Sequence, residues 1–135
     1  LFLGDNIFLD DITPAIKKFK KGATVFLKKV RDPKRFGIAE VTHDTIISLE
    51  EKPDKPKSDL AVTGLYIYDN TVFKKIRKIP PSDRGEYEIT DVNKLYLEEE
   101  SLHFNILEKE WFDIGTVESL HTASQFMKMK KRHEK

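Results

Sequence analysis

The stretch Glu110-Trp111-Phe112-Asp113-Ile114-Gly115-Thr116 constrains this chain more than any other. It reads as a short apolar strand that delivers one carboxylate, Asp113, to a tight turn. Gly115 supplies the freedom in φ that a turn needs, and Thr116 is placed to cap a following helix. Strand, turn and helix start in one short run is the grammar of α/β folds, which place ligand-binding groups at such strand ends. Taken alone the stretch has a second reading, because Asp and Gly fill turns of every kind.

The rest of the chain supplies strands and helices around it. Leu1-Phe2-Leu3 reads as a buried strand ending in the turn Gly4-Asp5-Asn6. Thr13 followed by Pro14 predicts a helix N-terminus, with Ile12, Ile16 and Phe19 as its apolar stripe and Gly22 as its stop after about Lys21. Ala23 to Val30 is a dense apolar strand, so the opening order is strand, helix, strand, which implies parallel strands joined by a right-handed crossover. Ile38 to Thr42 and Ile46 to Glu50 predict a hairpin about His43-Asp44. Leu60 to Tyr68 is a further strand, and Gly64 inside it marks a bulge or a close approach by a ligand. Asp69-Asn70 precedes a helix carrying Val72, Phe73 and Ile76. Ile89 to Glu100 is helical, with Ile89, Val92 and Tyr96 on one face. Leu102 to Ile106 is a short strand. A last helix follows Thr116, with Leu120, Ala123 and Met127 as its stripe. The pattern predicts one α/β domain over residues 1–135, a mixed sheet with flanking helices.

Composition narrows the function. The 135 residues are 39% hydrophobic and 35% charged, a globular balance of one ordinary domain. No apolar run approaches the ~20 residues that span a bilayer, and the opening meets a charge too soon for a secretory signal. Cysteine is absent, which excludes disulfides and thiolate metal sites and makes the cytoplasm the default location. The abundance of Lys and Glu leans toward a thermophile. Against 24 basic residues stand 23 acidic ones, a net charge of +1, which is no footprint of a nucleic-acid binder. The biased run Lys128 to Lys135 reads as a solvated helix end, with a patch for RNA or an anionic membrane as its alternative. His43, His103, His121 and His133 lack ligand spacing and read as surface residues. An apolar strand with no polar lead-in suggests a piece of a larger protein.

Six words in order, Leu3-Gly4-Asp5-Asn6, Phe36-Gly37, Glu50-Glu51-Lys52-Pro53, Val62-Thr63-Gly64-Leu65-Tyr66, Arg84-Gly85-Glu86-Tyr87-Glu88-Ile89-Thr90-Asp91-Val92-Asn93 and Trp111 to Thr116, cover nearly the whole chain. Together they resemble sugar-1-phosphate nucleotidyltransferases, nearest the glucose-1-phosphate thymidylyltransferase branch. The resemblance implies a nucleotide-diphospho-sugar transferase fold, Rossmann-like and truncated here. It also implies formation of dTDP-glucose and pyrophosphate from dTTP and glucose 1-phosphate with Mg²⁺. By the same resemblance, Asp5 and Asp113 match the metal-binding aspartates and Lys52 the sugar-phosphate lysine. Glu51 matches the acceptor of sugar hydroxyls, and Arg84 an arginine that reaches the phosphate. Gly37, Val62, Gly64, Tyr66 and Trp111 would line the sugar pocket, while Glu50 faces away because strand neighbours alternate. Phe36 stands where the family often has Tyr.

The family's glycine-rich triphosphate loop is missing: the glycines at 4, 22, 37, 64, 85 and 115 include no Gly-x-Gly. What the words supply is the sugar-phosphate and metal half of a site. Two functions remain open. One is part of a thymidylyltransferase, or of a UTP-using sister, inactive in isolation. The other is a non-catalytic fragment that binds sugar phosphate or serves as an assembly surface. An exposed Leu1 strand would invite pairing with another chain, so a homo-oligomer is expected.

Overall fold

The computed structural model describes residues 1–133, with side chains through Lys131. The end of the basic run, residues 134–135, and the side chains of Arg132 and His133 therefore lie outside what the structure describes.

The core is a five-stranded mixed sheet, β4-β3-β5-β2-β6, formed by β2 (Ala23–Lys29), β3 (Gly37–Thr42), β4 (Thr45–Glu51), β5 (Leu60–Tyr68) and β6 (Leu102–Ile106). Only β2 and β6 run parallel. From Ala23 to Leu27, β2 is a dense, mostly apolar run, and both of its faces are covered there. Ala23, Val25 and Leu27 pack with Val92 and Tyr96 of α3 (Ile89–Glu98). Phe26 packs on the other face with Leu65 and Leu107, against Ile12 and Ala15 beside and within α1 (Thr13–Lys18). The hairpin about His43-Asp44 and the strand Leu60–Tyr68 form as expected. Gly22 turns the chain into β2 at φ 82°, where a Cβ would stand 2.2 Å from the Ser101 carbonyl oxygen.

Several expectations give way to the observed structure. Leu1–Leu3 is not a buried strand. It lies antiparallel beside β5 through the Phe2–Leu65 bridge, with its three side chains 60%, 56% and 38% exposed. Since β2 is also antiparallel to β5, the two segments share a direction, but β5 lies between them instead of a direct parallel pairing. Asn6 leaves the predicted turn and begins β1 (Asn6–Phe8), which pairs antiparallel with β7 (Trp111–Asp113) as a separate ribbon. α1 stops at Lys18, and its first N–H is met by Asp11, whose Oδ1 accepts from Thr13 N at 2.9 Å; the Thr13 side chain makes no capping hydrogen bond. Ile16 points outward and Ala15 takes the inner place.

In α2 (Val72–Ile76), Phe73 and Ile76 are exposed, and the buried member beside Val72 is Lys75. Its ammonium pairs with Glu99 and lies 4.5 Å from the Tyr96 ring centroid, so charge and ring satisfy a buried cation. α4 (Val117–His133) buries Ala123, but Leu120 and Met127 are 48% and 41% exposed. Its N-terminus follows the expected capping: Thr116 Oγ1 accepts from Ser119 N, and Ser119 Oγ accepts from Thr116 N. No described helix is long and apolar enough to cross a membrane.

Candidate active site at the β1–β7 ribbon

Asp5, Gly37, Glu51, Lys52, Val62, Gly64, Tyr66, Trp111 and Asp113, distant in sequence, line one cleft of about 270 Å³. The exception among the predicted site residues is Arg84. It stands outside the lining, with its guanidinium 4.0 Å from the Glu51 carboxylate and nearer to Glu86 and Glu88. A wider cleft of about 630 Å³ lies elsewhere, between α1 and β6, and contains none of these residues.

The β1–β7 ribbon sets the acidic end. Its register puts Asn6 opposite Asp113, and Ile114 N donates to the Asp5 carbonyl at 2.7 Å, which ties the two aspartate segments together. A Cβ at Gly115 would stand 3.4 Å from Asp113 Oδ1 and 3.9 Å from Asp5 Oδ2, so both carboxylates flank one small volume. Mg²⁺ takes one or two protein carboxylates and fills its shell with water and phosphate oxygens. The donor set of Asp5 and Asp113 fits that demand, and no group of three or more potential ligands clusters among the described residues to form a closed protein cage.

Asn6 is the organising side chain, although the sequence offered it only as a neighbour of Asp5. Its Nδ2 donates to Asp5 Oδ1 at 2.7 Å, and its Oδ1 accepts from Trp111 Nε1 at 2.7 Å and from Gly64 N at 3.2 Å. One 8%-exposed amide thus aims the aspartate, fixes the indole and satisfies the bulged strand. The bulge is real: Val25 faces Tyr66 while Leu27 faces Val62. Gly64 has a packing reason to be glycine, because a Cβ there would sit 2.5 Å from Asn6 Nδ2.

The opposite wall is built by the hairpin. Gly37 pairs with Glu51, and a Cβ on Gly37 would meet Glu51 Oε2 and Thr90 Oγ1, each at 3.0 Å. Thr90, buried in α3, donates to Glu51 Oε2 at 2.5 Å and holds that carboxylate in place. It too went unread in the sequence, since a threonine inside a helix advertises no role. Glu50 turns away and pairs with Lys57 at 2.8 Å. Lys52 adopts φ 43°, a left-handed backbone that costs a side-chain-bearing residue about 1–3 kcal/mol, and its N–H donates to Phe36 O at 3.0 Å. Tyr66 is 4% exposed, and burial, then the Glu51 and Asp5 charges, push its phenol far up from its ordinary value. It is a neutral donor with no hydrogen-bond partner among the described residues. Phe36 packs against Trp111 with centroids 5.3 Å apart, and the Arg35 guanidinium lies 5.6 Å from the centroid of the same ring.

The arrangement offers paired carboxylates at one end, an ammonium and a fixed carboxylate at the other, and a phenol between them. The nucleotidyl transferase family model matches residues 1–130. The chain belongs to that family. A glucose-1-phosphate thymidylyltransferase of Neisseria meningitidis serogroup A is 48% identical over 94% of this chain and 46% of its own length. One of Mycobacterium tuberculosis is 41% identical over 99% of this chain and 49% of its own. A Bacillus anthracis structure named for the same enzyme, in complex with sucrose, superposes with TM-score 0.85 at 49% identity, covering 93% of this chain and 52% of that one. A UDP-glucose pyrophosphorylase complexed with UDP-glucose shares the fold at TM-score 0.81 and 23% identity. The chain spans about half the length of the curated relatives it matches.

Proposed function

We propose that residues 1–135 form the sugar-phosphate and metal half of a glucose-1-phosphate thymidylyltransferase, with glucose 1-phosphate and dTDP-glucose as its ligands. The observation that carries this reading is the single cleft in which Asp5, Asp113, Glu51, Lys52 and Tyr66 converge. In the reaction a sugar-phosphate oxygen attacks the α-phosphorus of dTTP, the new P–O bond forms and pyrophosphate leaves. The protein's task is alignment and neutralisation of crowded negative charge. Lys52 supplies a point charge to the sugar phosphate. Glu51, held by Thr90, accepts from sugar hydroxyls, and the Tyr66 phenol donates to the sugar or its phosphate. Asp5 and Asp113 would hold Mg²⁺, which when bound screens the phosphate charges. Arg84 reaches a phosphate only by leaving Glu86 and Glu88.

The alternative reading is a chain that binds sugar phosphate without turnover. A UTP-using sister transferase is the in-class rival. Calorimetric titration of this chain with glucose 1-phosphate and with dTDP-glucose, with Mg²⁺ present, tests the proposal. Saturable binding that disappears in Lys52→Ala is expected. A folded chain that gives no heat with either ligand would overturn it. In a longer chain that turns over, Asp113→Asn is expected to lower kcat far more than it weakens sugar-phosphate binding, and equal turnover would remove Asp113 from the mechanism.

A further inference from the structure

Helix α3 sends three buried polar side chains down one face. Thr90, Asn93 and Tyr96 stand three residues apart, so they line up along the helix. Thr90 reaches Glu51, Asn93 reaches the Tyr68 hydroxyl, and Tyr96 reaches Asp69. Asn93 is wholly buried but satisfied at one end only. Its Oδ1 accepts from Tyr68 OH at 2.6 Å, while its Nδ2 is buried without a partner among the described residues. An unmet buried donor destabilises a fold, and an apolar side chain of similar size would carry no such cost. What the amide does is fix a phenol. Burial, then the neighbouring Tyr66 and Tyr96, push the Tyr68 phenol far up from its ordinary value, so it stays a neutral donor to that oxygen.

The fixed phenol bears on the candidate active site. Tyr66 and Tyr68 are two apart on β5 and point to the same face. Their rings are stacked, 5.7 Å between centroids and 10° between planes, and Tyr96 stacks on Tyr68 in turn at 5.6 Å. Of the three rings only Tyr66 lines the cleft, and its hydroxyl has no partner of its own among the described residues. Contact with the Tyr68 ring, and not a hydrogen bond, is what sets the direction of the Tyr66 phenol.

On the reading of the cleft as a glucose 1-phosphate site, we propose that Asn93 and Tyr68 are positioning residues, which hold the Tyr66 phenol through the ring stack in the direction it needs to donate to the bound sugar or its phosphate. The variant Tyr68→Phe/Asn93→Leu removes the hydroxyl, its acceptor and the unmet amide nitrogen together and keeps a ring at position 68. Replacing both partners of a buried hydrogen bond by apolar groups is close to neutral for stability, so the urea midpoint should stay at or above that of the wild-type chain. Calorimetric affinity for glucose 1-phosphate should nevertheless fall about fivefold, the worth of one well-aimed hydrogen bond. In a Tyr66→Phe background the same pair of changes should have no further effect, because the group they aim is gone. If the pair does not fold, Tyr68→Phe alone carries both binding expectations. Unchanged affinity in a folded variant, or an equal loss with and without the Tyr66 hydroxyl, would overturn the proposal.

A second readout needs no ligand. In a chain isotope-labelled at the tyrosine ζ carbon, the magnetic resonance signal of Tyr66, assigned by its loss in Tyr66→Phe, should shift or broaden in the variant. The signal of the exposed Tyr87 should keep its place. A Tyr66 signal that does not move would overturn the positioning role whether or not the chain binds glucose 1-phosphate. A wild type that binds nothing defeats the active-site reading alone, and the Tyr66 signal then decides whether Asn93 and Tyr68 set that ring.

Discussion

Asn6 carries more of the candidate site than either aspartate, because three separate groups depend on one amide. Asn6→Ala leaves Trp111 Nε1 and Gly64 N without partners, at a cost of about 1–3 kcal/mol per buried orphan. Gly64→Ala forces a Cβ into the space that the amide occupies, an overpacking cost of about 1–3 kcal/mol. The two defects share one volume, so the double variant should be more stable than the sum of the singles predicts, by about 1 kcal/mol or more. Urea denaturation of the four proteins measures this, and strict additivity would refute the shared volume. Lys52 separates backbone from chemistry in the same way. Its φ of 43° suits glycine, so Lys52→Gly should be more stable than Lys52→Ala by about 1 kcal/mol. Both variants should lose glucose 1-phosphate binding equally, and a more stable alanine variant would remove the strain argument.

At the scale of elements, Asp69 joins pieces that the topology keeps apart. Its Oδ2 accepts from Gly22 N at 2.7 Å, at the entry to β2, while its Oδ1 accepts from Thr71 N and from Tyr96 OH. Burial opposes its charge, but the hydrogen bonds from Thr71, Gly22 and Tyr96 prevail and lower its pKa from the ordinary 3.8. A depressed carboxylate contributes stability above the unfolded value and loses it as pH falls through the folded one. The stability gap between the protein and Asp69→Asn should thus be full near neutrality and shrink below pH 3.8. Thermal melts across that range measure it, and a gap that grows on acidification would contradict the linkage.

The elements also show what a sequence can disclose. The strands Ala23–Lys29 and Leu60–Tyr68 and the His43-Asp44 hairpin were legible because burial on two faces and turn chemistry are local signals. The β1–β7 ribbon was not, since Asn6–Phe8 is three residues whose strand character comes only from Trp111–Asp113 opposite. Lys75 and Ile76 exchanged their expected places for a similar reason: the Tyr96 ring and Glu99, which make a buried lysine tolerable, lie on another helix. The site words named most of the cleft, but the amide and the hydroxyl that aim its carboxylates became visible only once distant segments met.

At the scale of the whole molecule, the segment Leu1–Leu3 presents an apolar edge. Its backbone is paired on one side with β5, through Leu1 N to Tyr66 O at 2.9 Å and Leu3 N to Gly64 O at 2.9 Å. Leu1 and Phe2 remain 60% and 56% exposed, and the Phe2 ring packs on the Phe8 ring, at 5.5 Å between centroids. An apolar edge in that state is a template for another chain, and natural sheets blunt such edges with charge. We therefore expect concentration-dependent association of the 135-residue chain in light scattering, and expect Phe2→Lys to shift it toward the monomer. Phe2 lies outside the lining of the candidate active site, so glucose 1-phosphate binding should survive that substitution. Loss of association with binding retained would separate assembly from ligand recognition. A wild-type chain that stays monodisperse and monomeric over the same concentrations would show that Phe8 and β5 already shield the edge well enough.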